Sequence, residues 1–321
     1  MLMILGLLAC FYLSNQIKFI DLRKYLYYLQ LVSYSEENKE EWLFEISSKR
    51  GLFELDYKEL WRYRDLLFLF VKRDIVTFYK QTILGPIWFI IQPLITSLIQ
   101  FVIFSQIANI PSDDTPYFLF VLAGNVLWFY FSDCFKSTSE VFKTNQNLFG
   151  KVYFPRLIMP LAIVFSNLVK FGIQFLFFLG VLFYCIYKGY NVHPNLYVLY
   201  TPLLLLVMIL LSLGSGMIIT SLTTKYRDLT FVVTFGISLY MYVTPIVYPT
   251  SLALEKLPES LHYLVYLNPL TSIFDFFKYA FLGSGTLDLF GVLYSLLFSI
   301  IIFFAGVFVF NKTEKNFIDV I

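Results

Sequence analysis

The chain has 321 residues, of which 58% are hydrophobic and only 14% charged, with a net charge of +2 and a mean hydropathy of +0.71. Soluble domains carry roughly 25% charged residues, so this composition excludes an ordinary water-soluble enzyme and describes a chain dissolved in a bilayer. Phe, Tyr and Trp make up 20% of it, which suits helix packing and membrane interfaces and equally a passage lined with ring faces.

Residues 1–45 stand apart from the rest of the chain. Met1–Leu13 is apolar but only about 13 residues long, short for a span. It has no basic n-region and no clear cleavage site. Lys18–Asn38 mixes charges with aromatics. Two readings are an interfacial anchor and, favoured here, a start site assigned too early, with the native chain beginning near Glu40 at an alternative start codon. Residues 46–82 form a lead-in. Within it, Asp56–Lys80 sets Leu60, Trp61, Leu66, Leu67 and Phe70 among Lys58, Arg62, Arg64, Lys72 and Arg73. This pattern predicts an amphipathic helix lying in the membrane interface.

Residues 83–321 hold six long apolar stretches: Ile83–Ala108, Tyr117–Phe135, Leu157–Tyr187, Tyr197–Thr223, Phe231–Tyr248 and Leu289–Phe310. A helix needs about 20 apolar residues to cross the hydrocarbon. The runs are too continuous for barrel strands, and only helices or closed barrels satisfy their backbone in lipid. The fold class predicted is all-α integral membrane, with six transmembrane helices. Gly85-Pro86 marks a break at the mouth of the first. The long segment Pro249–Asp288 contains two apolar pieces too short to cross, Leu261–Leu267 and Ile273–Leu282, separated by Asn268-Pro269 and ended by Gly283 and Gly285. These predict short re-entrant gate helices between spans five and six.

Loop charge sets orientation. The lead-in is basic, and so are the connections holding Lys136, Lys143, Lys151 and Arg156, then Lys225 and Arg227, and the tail with Lys312 and Lys315. The alternate connections are poor in Lys and Arg, and Asn109–Pro116 has none but carries Asp113 and Asp114. Both the lead-in and the C-terminus are therefore expected in the cytoplasm.

Catalytic patterns are missing. His193 and His262 have no ligand-spaced neighbours, so no metal is expected. Cys10, Cys134 and Cys185 form neither a disulfide framework nor a ligand set. There is no GxxxxGK[ST] phosphate loop, so the chain is not expected to hydrolyse ATP. Asp133 and Lys170 are the main charged residues within spans, each a functional candidate by default. One lysine is a thin basis for a proton relay, and no inverted repeat is evident. If the protein moves a solute, the energy comes from another chain.

Several segments resemble a known family. Leu84-Gly85-Pro86-Ile87-Trp88 with Gln92-Pro93-Leu94 resembles the first span of the ABC-2 class permeases that export polysaccharides. Lys151-Val152-Tyr153-Phe154-Pro155-Arg156 with Pro160 resembles the loop before their third span. Tyr226-Arg227-Asp228 resembles their second cytoplasmic loop. Pro245-Ile246-Val247-Tyr248-Pro249 and Leu267-Asn268-Pro269 resemble the end of their fifth span and their outer re-entrant region. The likeness runs from about Ile46 to Lys315, in order. It implies a homodimer of six-span subunits over two separate nucleotide-binding ATPase subunits, which hold the ATP and Mg. It also implies a lipid-linked or chain polysaccharide (O antigen, capsule or teichoic acid) as cargo across the bacterial inner membrane.

On that footing, Lys151, Tyr153, Phe154, Pro155 and Arg156 are expected to couple to the ATPase, with Tyr153, Phe154 and Pro155 forming an apolar ball for a partner cleft. Arg227 and Asp228 are expected at the cytoplasmic entrance, by mutual pairing or by meeting carrier phosphates. Trp88, Phe89, Tyr240, Tyr248, Asn268 and Pro269 are expected along the pathway or its gate. Tyr240 and Tyr248 can share a helix face, whereas Tyr242, two residues from Tyr240, cannot and is left to packing. An ion-coupled secondary carrier and a membrane-embedded glycosyltransferase or polymerase remain as alternatives. No nucleic-acid partner is expected.

Overall fold

The computed structural model describes residues 57–80, 85–149, 154–226 and 228–320; the extension 1–45 and the lead-in before Tyr57 lie outside them. The described residues fall within the unit Gly51–Ile321 and are helical throughout, with no strand. Helix α1 (Tyr57–Arg62) leads into α2 (Arg64–Lys80). A 3-10 turn at Gly85–Ile87 opens α3 (Trp88–Gln100). Helix α4 (Tyr117–Ser139) is followed by two single turns, α5 (Val141–Thr144) and α6 (Gln146–Phe149). Then come α7 (Ile158–Tyr187), α8 (Thr201–Lys225) and α9 (Leu229–Val243). The segment before the last helix holds α10 (Thr250–Lys256), α11 (His262–Leu267) and α12 (Pro269–Leu282). Helix α13 (Leu289–Val320) ends the described chain.

Five helical segments among the described residues are long and apolar enough to cross a membrane: Trp88–Ile107, Tyr117–Ser139, Ile158–Tyr187, Leu196–Lys225 and Leu289–Glu314. The stretch expected as span five yields only the 15-residue α9, about 22 Å at the helical rise. It stops at Val243 because prolines follow at 245 and 249. The first stretch also departs from a plain α-helix. Pro93 lies inside α3, and Phe101–Ile107 winds as a π-helix whose last turn places Ala108 N on Ile103 O. The last stretch runs further than its apolar residues suggested. At 32 residues, α13 is about 48 Å long, far beyond a hydrocarbon core of about 30 Å.

Helix α4 is the central post, enclosed by α3, α7, α8 and α12. Polar links, buried at Asn125 and part-buried at Asp133, tie it to its neighbours. Asn125 Nδ2 donates to Ser97 Oγ and Gln100 Oε1 of α3, both at 2.8 Å. Lys170 Nζ of α7 meets Asp133 Oδ2 at 2.7 Å. Such bonds hold helices together in lipid, where apolar surface alone gives no preference for a neighbouring helix. The lead-in helix α2 lies against α7 with Phe70 buried, and Ser166 Oγ donates to Asp74 Oδ2. Its Phe68 and Leu69 remain exposed, as does Trp61 of α1.

The longest packing seam joins α8 and α13, and glycine sets its closeness. A Cβ on Gly214 would sit 2.6 Å from the backbone of Ile302 and Phe303, and one on Gly306 would strike the Gly214 carbonyl. Small residues facing each other let backbones approach this closely. Gly306→Ala is expected to destabilise the chain by about 1–3 kcal/mol through overpacking. Gly180, whose Cβ would meet open space, serves as the control, and Gly180→Ala should leave the detergent melting temperature unchanged or higher. Equal melting temperatures for the two variants would contradict the seam.

Candidate functional site

The sequence Thr244-Pro245-Ile246-Val247-Tyr248-Pro249 ends α9 and poses a backbone problem. Two prolines four apart remove the amide donors that would serve the carbonyls of Met241 and Pro245 in a continuing helix. Buried carbonyls without donors are costly, and Thr244 through Val247 are all buried. The segment itself and side chains from two other helices supply what the helix cannot. Tyr248 folds back so that its hydroxyl donates to the Tyr242 and Val243 carbonyls at 3.0 and 3.2 Å. Ile246 N donates to Thr244 O. Lys278 Nζ on α12 donates to Pro245 O at 2.7 Å and Ile246 O at 3.2 Å. Tyr117, at the start of α4, donates its hydroxyl to Val247 O. Each carbonyl from Tyr242 to Val247 thus has a donor. Gly124 of α4 makes room for the segment, since a Cβ there would lie 2.9 Å from Ile246 Cγ2.

Asn268 is the joint between this break and α12. Its Oδ1 accepts from Leu270 N at 3.0 Å, capping α12, and from the Tyr240 hydroxyl at 2.6 Å. Its Nδ2 donates to Thr244 Oγ1 at 3.3 Å. Pro269 follows as the first helical residue, where a missing N–H costs nothing, and its carbonyl accepts from Ser295 Oγ of α13. Gly283 closes α12 in the left-handed region with φ 76°. The tyrosine expected along the pathway is the packed one, and the tyrosine left to packing is the exposed one. Tyr240 packs against Trp128 of α4, with ring centroids 6.0 Å apart, while Tyr242 is 53% exposed. Tyr240 and Tyr248 both turn back on their own subunit, each through its hydroxyl.

Asp275 and Lys278 are two further buried charges, beyond the Asp133 and Lys170 that the sequence singles out. Lys278 is 2% exposed and Asp275 is 7%. Their signal was present: opposite charges three apart on one face of an otherwise apolar helix. Asp113, in the connection before α4, lies near them. Burial pushes its carboxyl above the ordinary value, against the pull of Lys278.

The basic end of the bundle is organised by aromatic packing. Phe154 was expected as part of an apolar ball for a partner, but it is 5% exposed. Its ring sits 5.7 Å from Phe70 of α2 and 5.7 Å from Phe149 of α6. Phe149 meets Phe142, which stacks on Phe310 of α13 at 4.8 Å. Pro155 is buried as well. Both residues are therefore internal rather than exposed knobs, with Phe154 held between Phe70 of α2 and Phe149 of α6. Arg156 donates through Nη1 to the Glu314 carbonyl at 2.8 Å, and its Nε lies 3.7 Å from Glu314 Oε1. Burial lowers the Arg156 pKa and Glu314 opposes the shift. Of the polar residues in the same connection, Asn147 is exposed and Asn145 and Gln146 are partly so. Lys151 and Tyr153 lie outside the described residues.

The entrance candidates separate. Trp88 is exposed, whereas Phe89 is buried, with Lys170 Nζ 5.5 Å from its ring centroid and Gln174 Nε2 donating to its carbonyl. Asp228 is exposed and precedes α9 without a side-chain cap bond. Arg227 lies outside the described residues, so the expected Arg227–Asp228 pairing does too. No cluster of metal-ligating side chains occurs among the described residues.

The joint makes a graded prediction. Asn268→Ala removes a helix cap and leaves the Tyr240 hydroxyl without its acceptor, a loss of about 1–3 kcal/mol. Tyr240→Phe removes one bond and leaves the cap, a loss of about 1 kcal/mol or less. Melting temperatures in detergent should fall in that order, and the reverse order would contradict the role of Asn268 as the joint.

The comparisons with known proteins agree with this architecture. The ABC-2 type transporter family model matches residues 65–282, from α2 to the end of α12. The O-antigen export system permease protein RfbA of Klebsiella pneumoniae is 28% identical over 258 residues, covering 80% of this chain and 95% of that protein. The protein of the same name from Myxococcus xanthus is 24% identical over 264 residues, covering 82% and 97%. The matched family region contains the basic connection before α7, the broken end of α9 and the Asn268 joint, and the chain belongs to the ABC-2 type transporter family.

Proposed function

We propose that this chain is the membrane-spanning subunit of an ATP-driven exporter that moves a lipid-linked or chain polysaccharide across the bacterial inner membrane. The observation that carries the proposal is the family match, together with relatives named as O-antigen export permeases that align over about four-fifths of the chain. In this reading α9 is the fifth of six spans, short because its end is broken and supported by neighbours. Helices α10 to α12 form the re-entrant outer gate, and α2 lies in the cytoplasmic interface. Both the lead-in and the C-terminus are cytoplasmic. Two copies pair, and two separate ATPase subunits bind ATP and Mg beneath them.

The arrangement suits such work physically. A hydrated glycan cannot cross about 30 Å of hydrocarbon unaided, and ring faces offer contacts that tolerate sliding. Closure of the ATPase subunits on ATP would press on α5 and α6. Phe142, Phe149, Phe154 and Arg156 connect that region to α2 and α13. Pressure on the loop therefore has two rigid outlets, and α13 reaches the Asn268 joint through Ser295 and Pro269.

Deleting the gene should leave finished glycan inside the cell and none at the surface, and re-expression should restore it. Unchanged surface glycan in the deletion would overturn the reading. Rigorously purified chain should not hydrolyse ATP, and hydrolysis by it would argue against a separate motor. Within the assembled complex, Asn147→Cys should crosslink to the ATPase, whereas Phe154→Cys should not. Phe154→Ala should instead lower export per ATP hydrolysed, and unchanged stoichiometry would remove Phe154 from the coupling path.

A further inference from the structure

Lys278 is an enclosed ammonium in the run Ile273–Leu282, where its neighbours are Phe276, Phe277, Tyr279 and Phe281. A charge in such a place is retained only with compensating bonds. Four places supply the compensation. The carbonyls of Pro245 and Ile246, beyond the end of α9, accept at 2.7 and 3.2 Å. The ring of Phe120 on α4 faces the ammonium with its centroid 3.5 Å away. Asp275, one turn earlier on α12, and Asp113, in the connection before α4, supply the opposite charge. The Pro245 carbonyl has no alternative donor along the chain, because Pro249 lacks the N–H that a continuing helix would offer.

We propose that Lys278 is a positioning residue of the export cycle, which binds the broken end of α9 to α12 and α4 as one body and so keeps the exit closed while no nucleotide is bound. The proposal rests on the reading of α10 to α12 as the gate. It reaches beyond that reading by naming the single group on which closure depends. The Tyr117 bond to Val247 O is the natural contrast. It holds the next carbonyl of the same segment, but with a neutral donor and from α4 alone.

The test uses the whole complex, permease and ATPase subunits, reconstituted in liposomes without nucleotide. The readout is resting ionic leak, with assembly checked by size-exclusion chromatography. Removing a charged donor's bonds should shift a two-state gate by about tenfold or more. Lys278→Met is therefore expected to assemble normally and to raise resting leak by that factor, with Tyr117→Phe raising it far less. A normally assembled Lys278→Met complex with native leak would overturn the proposal. So would equal leak in both variants, which would mean general loosening. If Lys278→Met fails to assemble, Phe120→Leu decides by the same readout: it keeps the ammonium but removes its ring face, so raised leak supports the proposal and native leak overturns it. Leak is read without glycan, so failure of the native complex to export would count against the exporter reading and not against Lys278.

Discussion

Hydrocarbon offers no hydrogen bonds, so a helix that breaks inside a bundle must find donors elsewhere in the protein. The end of α9 is where this constraint acts most visibly. Proline at 245 and 249 makes the break unavoidable, and six successive carbonyls then need partners from outside the ordinary helix ladder. The answers come from α4, α12 and the break itself, through Tyr117, Lys278 and Tyr248. Much of the surrounding design follows from that need. Gly124 is small so the segment can approach α4. Asn268 caps α12 while holding Tyr240 and Thr244. A charged side chain is carried into an apolar helix because two carbonyls require it.

The basic end follows a different logic, with rings in place of carbonyl donors. Phe70, Phe154, Phe149, Phe142 and Phe310 form a chain of aromatic contacts from α2 through the loop to α13. Aromatic contacts of this kind are large, and close packing in the core makes them stiff. Arg156 adds a directional bond to the Glu314 carbonyl at the place where α13 leaves the hydrophobic region. The great length of α13 has a physical purpose here, because a helix cut to the thickness of the hydrocarbon would end before it met the loop.

Hydropathy carried the broad architecture well. Long apolar runs located the main helices, and the Asn268-Pro269 break and Gly283 stop set the bounds of α12 because cap chemistry is local. Other features depended on tertiary packing and left weaker traces. The early end of α9 was masked by Ile246, Val247 and Tyr248, apolar residues that continue the run in composition though not in geometry. Phe154 looked like an exposed knob because nothing in its neighbours along the chain reveals that Phe70, more than eighty positions away, covers it. Lys278 lies in a segment read as a connection rather than a span, although its spacing from Asp275 on an apolar helix is a readable sign of burial.

Helix α9 buries only Ile237 along its regular turns, while Phe231, Val232, Phe235, Leu239, Tyr242 and Val243 stay exposed. Its attachment to its own subunit is concentrated at the broken end. The shaft is consequently free of the packing constraints that restrict α4. Whatever lies beside it, lipid, glycan or a second subunit, bears most of its surface. A mutational scan scored on folding of the isolated chain would find this shaft largely permissive and the segment Thr244–Val247 beyond it intolerant. Relatives could therefore remodel the face that meets their surroundings without re-engineering the bundle that supports it.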